Sequence, residues 1–263
     1  MPSTKEIRDY LNKDNEVFSV RRINRFFAVY TAKLFLYTPI TGNQVTFLMG
    51  FLAFIICILF SFGKFWYSIV GIALLFFQIN LDYIDGLIAR YRNAASINGI
   101  FGDAIVHSIT EPLVFFGLTL GVFKNTGNIY FLIFGILAAL FSFLASSVQH
   151  IKHQVLVIKL MQYAQGKKLE ELKGKRLEII STEEGKDKKF LFLKNIIKQI
   201  LFYLTFRFVP FILIFAIIFN FTKWLLVFYG IALPIKWLIT VFYEFKMDYK
   251  SLEFLFKPYQ PKK

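Results

Sequence analysis

The sequence contains little cysteine and little acid. Of its 263 residues only Cys57 is a cysteine, and it lies inside an apolar run, which excludes a disulfide-stapled scaffold. Acidic residues number 17 against 31 Lys and Arg, for a net charge of +14. Intrinsic disorder is excluded because 56% of the residues are hydrophobic and 19% are aromatic. A nucleic-acid-binding protein would share the basic charge but not the long stretches without charge, so no nucleic-acid partner is expected.

Six apolar runs have the length of about 20 residues that a helix needs to cross a bilayer. They are Asn43–Phe62, Phe65–Asp85 (continuing to Arg92), Ile100–Phe123, Ile129–Gln149, roughly Ile200–Phe221, and Trp224–Tyr243. The mean hydropathy of the whole chain is +0.55. The sequence therefore predicts an all-α integral membrane protein with six transmembrane helices.

Basic residues outside these runs are distributed unequally between the two sides of the membrane. One side carries 26 Lys and Arg, in the N-terminal segment, the turn after the second run, the long connection after the fourth, and the tail. The other side carries only Lys64, Lys124 and Lys223. The positive-inside rule then places both termini in the cytosol. This gives a cytosolic segment 1–42, a membrane domain 43–247 with a basic excursion at about 153–195, and a tail 248–263.

An amphipathic helix is predicted immediately before the first membrane run. Apolar residues recur there at steps of three and four, while the arginines lie mostly off that stripe. The apolar positions are Val20, Ile23, Phe27, Tyr30 and Leu34. Such a helix is typical of a segment lying in the lipid headgroup layer, with its basic residues anchoring the topology.

Four carboxylates stand out because they lie within or beside the predicted membrane helices. Asp82 and Asp85 are three residues apart on the second helix, and Asp103 and Glu111 share a face of the third with His107. Ionisable groups at such positions are energetically costly, so they indicate a functional site. Because the turn joining the two helices is cytosolic, both sets of side chains are predicted near the cytosolic interface.

Carboxylates that converge without matching basic partners favour a divalent cation such as Mg²⁺, Ca²⁺ or Mn²⁺. Gly86, Ala89 and Gly99 leave room beside them, although small residues also serve close helix packing. Arg90 either faces an anionic ligand or reaches the lipid headgroups. Metal ions next to basic residues indicate a phosphate-bearing substrate, and two metals on a diphosphate would assist displacement at phosphorus. No Walker motif or Gly-x-Ser-x-Gly elbow offers another explanation.

These residues strongly resemble the signature of the CDP-alcohol phosphotransferase family. Its pattern is D-x2-D-G-x2-A-R-x8-G-x3-D-x3-D, and every fixed position except the last is matched. The matching residues are Asp82, Asp85, Gly86, Ala89, Arg90, Gly99 and Asp103. The stretch 41–46, Thr-Gly-Asn-Gln-Val-Thr, is similar to the T-P-N-x-V-T stretch of the family, with Gly42 in place of proline.

The resemblance implies transfer of a phosphoryl-alcohol group from a CDP-alcohol to an acceptor hydroxyl, with release of CMP. It implies two divalent cations, Mg²⁺ or Mn²⁺, on Asp82, Asp85 and Asp103. It places Gly86, Ala89, Arg90 and Gly99 around the donor. A homodimer is also implied, as is a location in the cell membrane of a prokaryote or an endomembrane of a eukaryote, with the site near the cytosolic face.

His107 departs from the family pattern, which has a fourth aspartate at that position. A histidine suits general-base chemistry near neutral pH and is also a metal ligand that shifts preference toward Mn²⁺ or Zn²⁺. We predict that neutral His107 accepts the proton of the acceptor hydroxyl and that Glu111, one turn further along, orients it. An altered or weakened enzyme is the other interpretation.

Other polar residues of the membrane runs are weaker candidates. Arg207 and Lys236 either bind the phosphate of an acceptor or pair with acids across the bundle. His150 and His153 either ligate a metal or lie at the interface with nothing bound.

Several functions stay open on sequence alone. The donor is a CDP-lipid such as CDP-diacylglycerol with a small polar acceptor, or CDP-choline or CDP-ethanolamine with a lipid alcohol as acceptor. An aspartate-rich membrane prenyltransferase would be expected to have more spans and two separate acidic motifs. A degenerate relative that binds a CDP-lipid without turnover is the non-enzymatic alternative. The sequence does not identify the acceptor.

Overall fold

In the computed structural model, the described residues are 20–94, 96–164 and 209–246, and these residues form seven α-helices and no strand. The helices are α1 (Val20–Leu36), α2 (Gly42–Ser61), α3 (Phe65–Tyr91), α4 (Ile97–Thr126), α5 (Ile129–Ala164), α6 (Val209–Ile218) and α7 (Thr222–Lys246). The all-α prediction is confirmed for this part of the chain.

The chain divides into two compact units. The first contains Met1–Phe143 and Phe206–Leu233, and the second contains Leu144–Thr205 and Pro234–Lys263. All the acidic residues singled out in the sequence belong to the first unit, together with α1 to α4 and α6. In the second unit the described residues are the C-terminal parts of α5 and α7.

Five helical segments are long and apolar enough to cross a membrane, and they match five of the six predicted spans. They are Gly42–Ser61, Phe65–Tyr91, Ile97–Thr126, Ile129–Val148 and Thr222–Phe242. Their length and apolar composition indicate an integral membrane protein. Of the remaining predicted span, at about Ile200–Phe221, the structure describes only the part from residue 209, where α6 is 10 residues long. Six spans therefore stay a prediction, and the basic excursion lies mostly outside the described residues.

A helix is present before the first span as α1, and residues outside the predicted apolar stripe form its packing face. Ala28 and Ala32 are fully buried, whereas Phe27, Tyr30 and Leu34 are each more than half exposed. The small alanine side chains let α1 pack against α3. The large apolar side chains on its other face are those that a headgroup layer would cover, a placement that stays a prediction.

Local capping explains where α2 and α4 begin. Thr41 and Gln44 form a capping box at the start of α2, with the Thr41 backbone N–H donating to Gln44 Oε1 at 2.9 Å. At the start of α4, Ser96 Oγ accepts a hydrogen bond from the Gly99 backbone N–H at 3.1 Å. α4 ends at Gly127, which has a φ of 62° and adopts the left-handed conformation that favours glycine.

Helices α2, α3 and α4 form the core of the first unit. A Cβ at Gly117 would collide with the backbone of Cys57, so the glycine allows α4 to lie directly against α2. From α3, the buried Gln78 Nε2 donates to the Met49 backbone carbonyl at 2.9 Å and to Thr110 Oγ1 at 3.1 Å. One amide thus joins all three helices about one turn from Asp82.

Candidate metal centre

The structure brings together side chains from α3 and α4 that are far apart in the sequence. His107 Nε2 lies 2.8 Å from Asp82 Oδ1 and 3.2 Å from Asp103 Oδ1. Asp82, Asp103 and His107 each offer a ligand atom, and these atoms all lie within 4.8 Å of one another. The predicted convergence of the two acidic helices is therefore confirmed for these three residues, which we call the Asp–Asp–His cluster.

The Asp–Asp–His cluster is accessible from outside the bundle. The His107 side chain is 49% exposed and that of Asp82 is 32% exposed. Two carboxylates and an imidazole form a donor set that suits Mn²⁺ or Mg²⁺, with the imidazole favouring the former. The residues therefore fit a divalent cation, and the predicted ligands Asp82, Asp103 and His107 are the ones that would hold it.

Asp85, the fourth predicted ligand, lies next to this cluster, but its hydrogen-bond partners are outside the cluster. Its Oδ2 accepts a hydrogen bond from Thr46 Oγ1 of α2 at 3.0 Å, and its Oδ1 accepts one from the Gly86 backbone N–H. Asp85 is close enough to Asp103 and Asp82 for electrostatic interaction with both. The sequence pattern singled out the stretch that contains Thr46 but gave this threonine no role.

The first turns of α2 contact both acidic helices. Asn43 Nδ2 donates to Ser96 Oγ at 3.3 Å, and a Cβ at Gly99 would come within 2.5 Å of Asn43 Oδ1. A Cβ at Gly42 would come within 2.7 Å of the Asp85 backbone carbonyl. Gly42 therefore allows the backbones of α2 and α3 to approach closely, whereas an alanine at position 99 would displace the Asn43 side chain. These contacts do not test whether Gly99 also lies against a bound CDP-alcohol, and that role stays a prediction.

Gly86, by contrast, borders open space. A Cβ at Gly86 would meet nothing closer than Arg90 Nη2 at 3.9 Å. Arg90 is exposed, and its Nε donates to the Gly86 backbone carbonyl at 2.9 Å. Ala89, the remaining predicted donor-binding residue, is partly buried and would be 3.0 Å from a Cβ at Gly42. Gly86 and Arg90 thus present a free surface next to the acids.

Arg92 has a structural role that sequence reasoning missed. Its guanidinium donates to the backbone carbonyls of Ile40 (2.7 Å), Phe35 (3.5 Å) and Thr38. These carbonyls lie at the end of α1 and in the connection to α2, where helical carbonyls need partners. Arg92 therefore joins the C-terminal end of α1 and the α1–α2 connection to the end of α3. From the sequence alone, Arg92 was counted only as one of the basic residues that indicate the cytosolic side of the membrane.

Glu111 lies on α4, one turn beyond His107. Its Oε1 is buried, and it is close enough to Tyr229 of α7 to interact electrostatically with that phenol. The distances that the structure gives for His107 are to Asp82 and Asp103, so the pairing of His107 with Glu111 stays a prediction. Lys236 lies on α7 in the second unit, whereas Arg207 and the side chains of His150 and His153 lie outside the described part.

Taken together, the fold and the site define a class: an α-helical integral membrane protein with an acidic, histidine-containing cluster between two of its long helices. No protein-family model matches the sequence, and no curated protein matches it. Among solved structures, the chain is similar to phosphatidylinositol phosphate synthase of Mycobacterium tuberculosis. The identity is 21% and the TM-score is 0.44, over 81% of this chain and 94% of that one.

Proposed function

We propose that this protein is a metal-dependent CDP-alcohol phosphotransferase of the membrane. It transfers the phosphoryl-alcohol group of a CDP-lipid such as CDP-diacylglycerol to the hydroxyl of a small polar acceptor and releases CMP, as a step of phospholipid synthesis. The observation that supports this most is the Asp–Asp–His cluster, because ligand atoms from three motif positions on two helices lie within 4.8 Å of one another. The resemblance of the surrounding motif supplies the reaction.

Each residue has a proposed part in this reaction. Asp82, Asp85 and Asp103 hold two divalent cations, which when bound would neutralise the charge of the donor diphosphate. Gly86 and Arg90 border the open space into which the donor is proposed to fit, and Ala89 and Gly99 are the other proposed donor-binding residues. The acceptor oxygen attacks the phosphorus that carries the donor alcohol, the bond from that phosphorus to the CMP oxygen breaks, and CMP leaves.

His107 is proposed as the group that receives the proton of the acceptor hydroxyl. Nε2 faces two carboxylate oxygens, so in the cluster as described it carries a hydrogen, and Nδ1 is left to accept the proton. If His107 instead ligates a metal, Nε2 is the ligating atom and bears no hydrogen. The two roles therefore use different nitrogens. The proposed orientation of the ring by Glu111 requires a hydrogen on Nδ1, so it applies where Nε2 bears none and is the atom that ligates a metal or accepts the proton.

One observation favours a second candidate function, a degenerate relative that binds a CDP-lipid without turnover. His107 sits between Asp82 and Asp103 at distances typical of ion pairs. An imidazolium at this position would satisfy both carboxylates without a divalent cation. The two candidates differ in one measurable respect, which is the release of product.

Release of CMP by the purified full-length protein tests the proposal. Incubation with CDP-diacylglycerol, Mn²⁺ or Mg²⁺ and a panel of small alcohols should release CMP, and chelation of the metal should stop the release. The Asp103→Asn variant is the matched control for contaminating activity. CMP release from CDP-choline or CDP-ethanolamine with diacylglycerol, instead of from CDP-diacylglycerol, would reverse the donor and acceptor assignment. If the protein binds CDP-diacylglycerol but releases no CMP under any of these conditions, the second candidate function, a binder without turnover, is supported.

The proposal places the site at the cytosolic face, with both termini in the cytosol. It rests on the 26 basic residues assigned to one side against three on the other. In a background without Cys57, an impermeant thiol reagent added outside should label cysteines at positions 64, 125 and 222. It should not label positions 100, 170 and 255. External labelling at position 170 would contradict the six-span arrangement.

The proposal also includes a homodimer. Chemical cross-linking in native membranes, followed by mass determination, should give a species of twice the chain mass. A purely monomeric protein at expression levels that support activity would remove this part of the proposal.

A further inference from the structure

Thr46 connects α2 to the acidic residues through its side chain. It is 5% exposed, and its Oγ1 lies 3.0 Å from Asp85 Oδ2 and 3.2 Å from the Gly42 backbone carbonyl. The second contact is the ordinary hydrogen bond of a helical threonine to the carbonyl four residues earlier. The contact with Asp85 joins α2 to α3 and involves a predicted metal ligand.

The hydroxyl has a single hydrogen, so it can donate fully to only one of these two acceptors. A hydrogen bond to an ionised carboxylate is roughly twice as strong as one to a neutral carbonyl. If the hydrogen pointed to Gly42, an oxygen lone pair of Thr46 would face Asp85 Oδ2 inside the bundle. The hydrogen therefore belongs on Asp85 whenever that side chain is a carboxylate.

Asp85 is held at both of its oxygens. Thr46 donates to Oδ2, and the Gly86 backbone N–H donates to Oδ1. The carboxylate cannot rotate without losing one of these bonds. Among the described residues, Asp85 is outside the group whose ligand atoms lie within 4.8 Å of one another, so its exact placement decides how it contributes to a cation site.

We propose that Thr46 is a positioning residue that fixes the Asp85 carboxylate for divalent-cation binding. This inference rests on the proposed function, because it assumes that the acidic residues bind a cation. Partners of metal ligands typically contribute roughly 10–100-fold to metal affinity, by holding the ligand in its binding orientation. Thr46 is in that position for Asp85, and it acts from a third helix.

Thr119 provides a matched control in the same unit. It is fully buried on α4, and its Oγ1 donates to the Phe115 backbone carbonyl at 2.6 Å. Thr119 lies four turns beyond Asp103 on α4 and has no role in the proposed site. Replacement of either threonine by valine removes one hydroxyl at nearly constant shape, but only Thr46→Val removes a partner of a carboxylate.

The test measures Mn²⁺ binding to the full-length protein in detergent or nanodiscs, without substrate. Electron paramagnetic resonance reports the free Mn²⁺. We expect Thr46→Val to weaken Mn²⁺ binding by about 10–100-fold, Thr46→Ser to restore most of it, and Thr119→Val to leave it unchanged. Thermal unfolding without metal should be affected to a similar extent by the two valine variants. If Thr46→Val does not fold, Thr46→Ala takes its place.

A double-mutant cycle with Asp85→Asn identifies the route of the effect. In the Asp85→Asn background, Thr46→Val should weaken Mn²⁺ binding no further, because the positioned group is already absent. Equal losses from Thr46→Val with and without Asp85→Asn would overturn the inference, as would wild-type Mn²⁺ affinity in Thr46→Val. If the wild type itself binds no Mn²⁺, the proposed function fails with it. CMP release by the wild type alongside unchanged binding in Thr46→Val refutes the positioning role alone.

Discussion

The two ends of the α2–α4 bundle are built in different ways. At one end, α2 and α4 meet through glycines, and a Cβ at Gly117 or Gly121 would collide with the backbone of α2. No charged side chain is needed for these contacts. At the other end, Asn43 of α2 donates to Ser96 at the start of α4 and Thr46 of α2 donates to Asp85 of α3, in addition to the close approach at Gly42 and Gly99. Here the acidic side chains and His107 lie between α3 and α4.

The two ends of these helices therefore have different roles, with packing that stabilises the bundle at one end and the proposed functional residues at the other. Close packing of small residues stabilises helix association in a membrane without polar groups. The apolar end can therefore hold the bundle together, which leaves the polar end able to carry costly carboxylates. Substitutions of the acidic residues and His107 at the polar end should change activity with little effect on folding, and substitutions of the glycines at the apolar end should do the reverse.

The largest effect is expected from the carboxylates of the polar end. Asp82→Asn, Asp85→Asn and Asp103→Asn should each reduce CMP release by more than about 100-fold, because an amide lacks the charge that a divalent cation needs. Thermal unfolding should show that the variants remain folded, since an amide is cheaper to bury than a carboxylate. Near wild-type activity in any two of the three variants would rule out the two-metal site.

His107 gives the next largest expected effect. His107→Ala should lower the rate by about 100-fold, the lower end of the range of about 10²–10⁴-fold that a general base typically contributes. His107→Asp should restore much of the activity by recreating the family motif, and Glu111→Gln should cause a smaller loss. The acid limb of the rate–pH profile should move in Glu111→Gln if the two residues are coupled. An unchanged rate in His107→Ala would leave this side chain with a structural role only.

At the apolar end, the expected change is in stability. Gly117→Ala introduces a Cβ against the Cys57 backbone and should destabilise the protein by about 1–3 kcal/mol. The matched control is Gly102→Ala on the same helix, where the new Cβ meets only Thr46 Cγ2 at 3.7 Å. Thermal unfolding measures both variants. Equal melting temperatures for the two would show that close packing does not stabilise this end.

The smallest effects are expected from two glycines of the motif, and they should differ in kind. Gly86→Ala adds a methyl group to open space, so it should leave the melting temperature unchanged and raise KM for the CDP donor. Gly99→Ala displaces Asn43 and should cost about 1 kcal/mol, the value of one hydrogen bond. Kinetic constants and unfolding curves measured side by side distinguish them. A normal KM in Gly86→Ala would remove Gly86 from the donor pocket.

Spacing along the helices was enough to predict much of this arrangement. Asp103 and His107 are four residues apart, and the intervening turn is short, so Asp82 on the preceding helix was expected at the same level. The structure confirms their convergence. The length of apolar runs likewise predicted five of the observed helices, because crossing a bilayer imposes a minimum length.

Residue spacing within a helix could not predict which side chains of different helices contact each other. The hydrogen bond between Thr46 and Asp85 joins residues 39 positions apart, and no periodicity within one helix predicts it. The same holds for Arg92, whose carbonyl partners depend on how α1 turns into α2. The apolar stripe of α1 was assigned to the headgroup layer. The packing of Ala28 and Ala32 against α3 was not predicted, because small side chains give no amphipathic signal.

The close approach at Gly42 also has an evolutionary consequence. A Cβ at position 42 would lie 2.7 Å from the Asp85 carbonyl oxygen and 3.0 Å from the Ala89 Cβ, so residues 42 and 89 share one small volume. Proline is favoured at the first position of a helix, yet here it would push α2 away from α3 and carry Thr46 away from Asp85. Descendants of this sequence are therefore expected to keep glycine at position 42 as long as α2 and α3 keep this spacing, even though position 42 touches no catalytic atom.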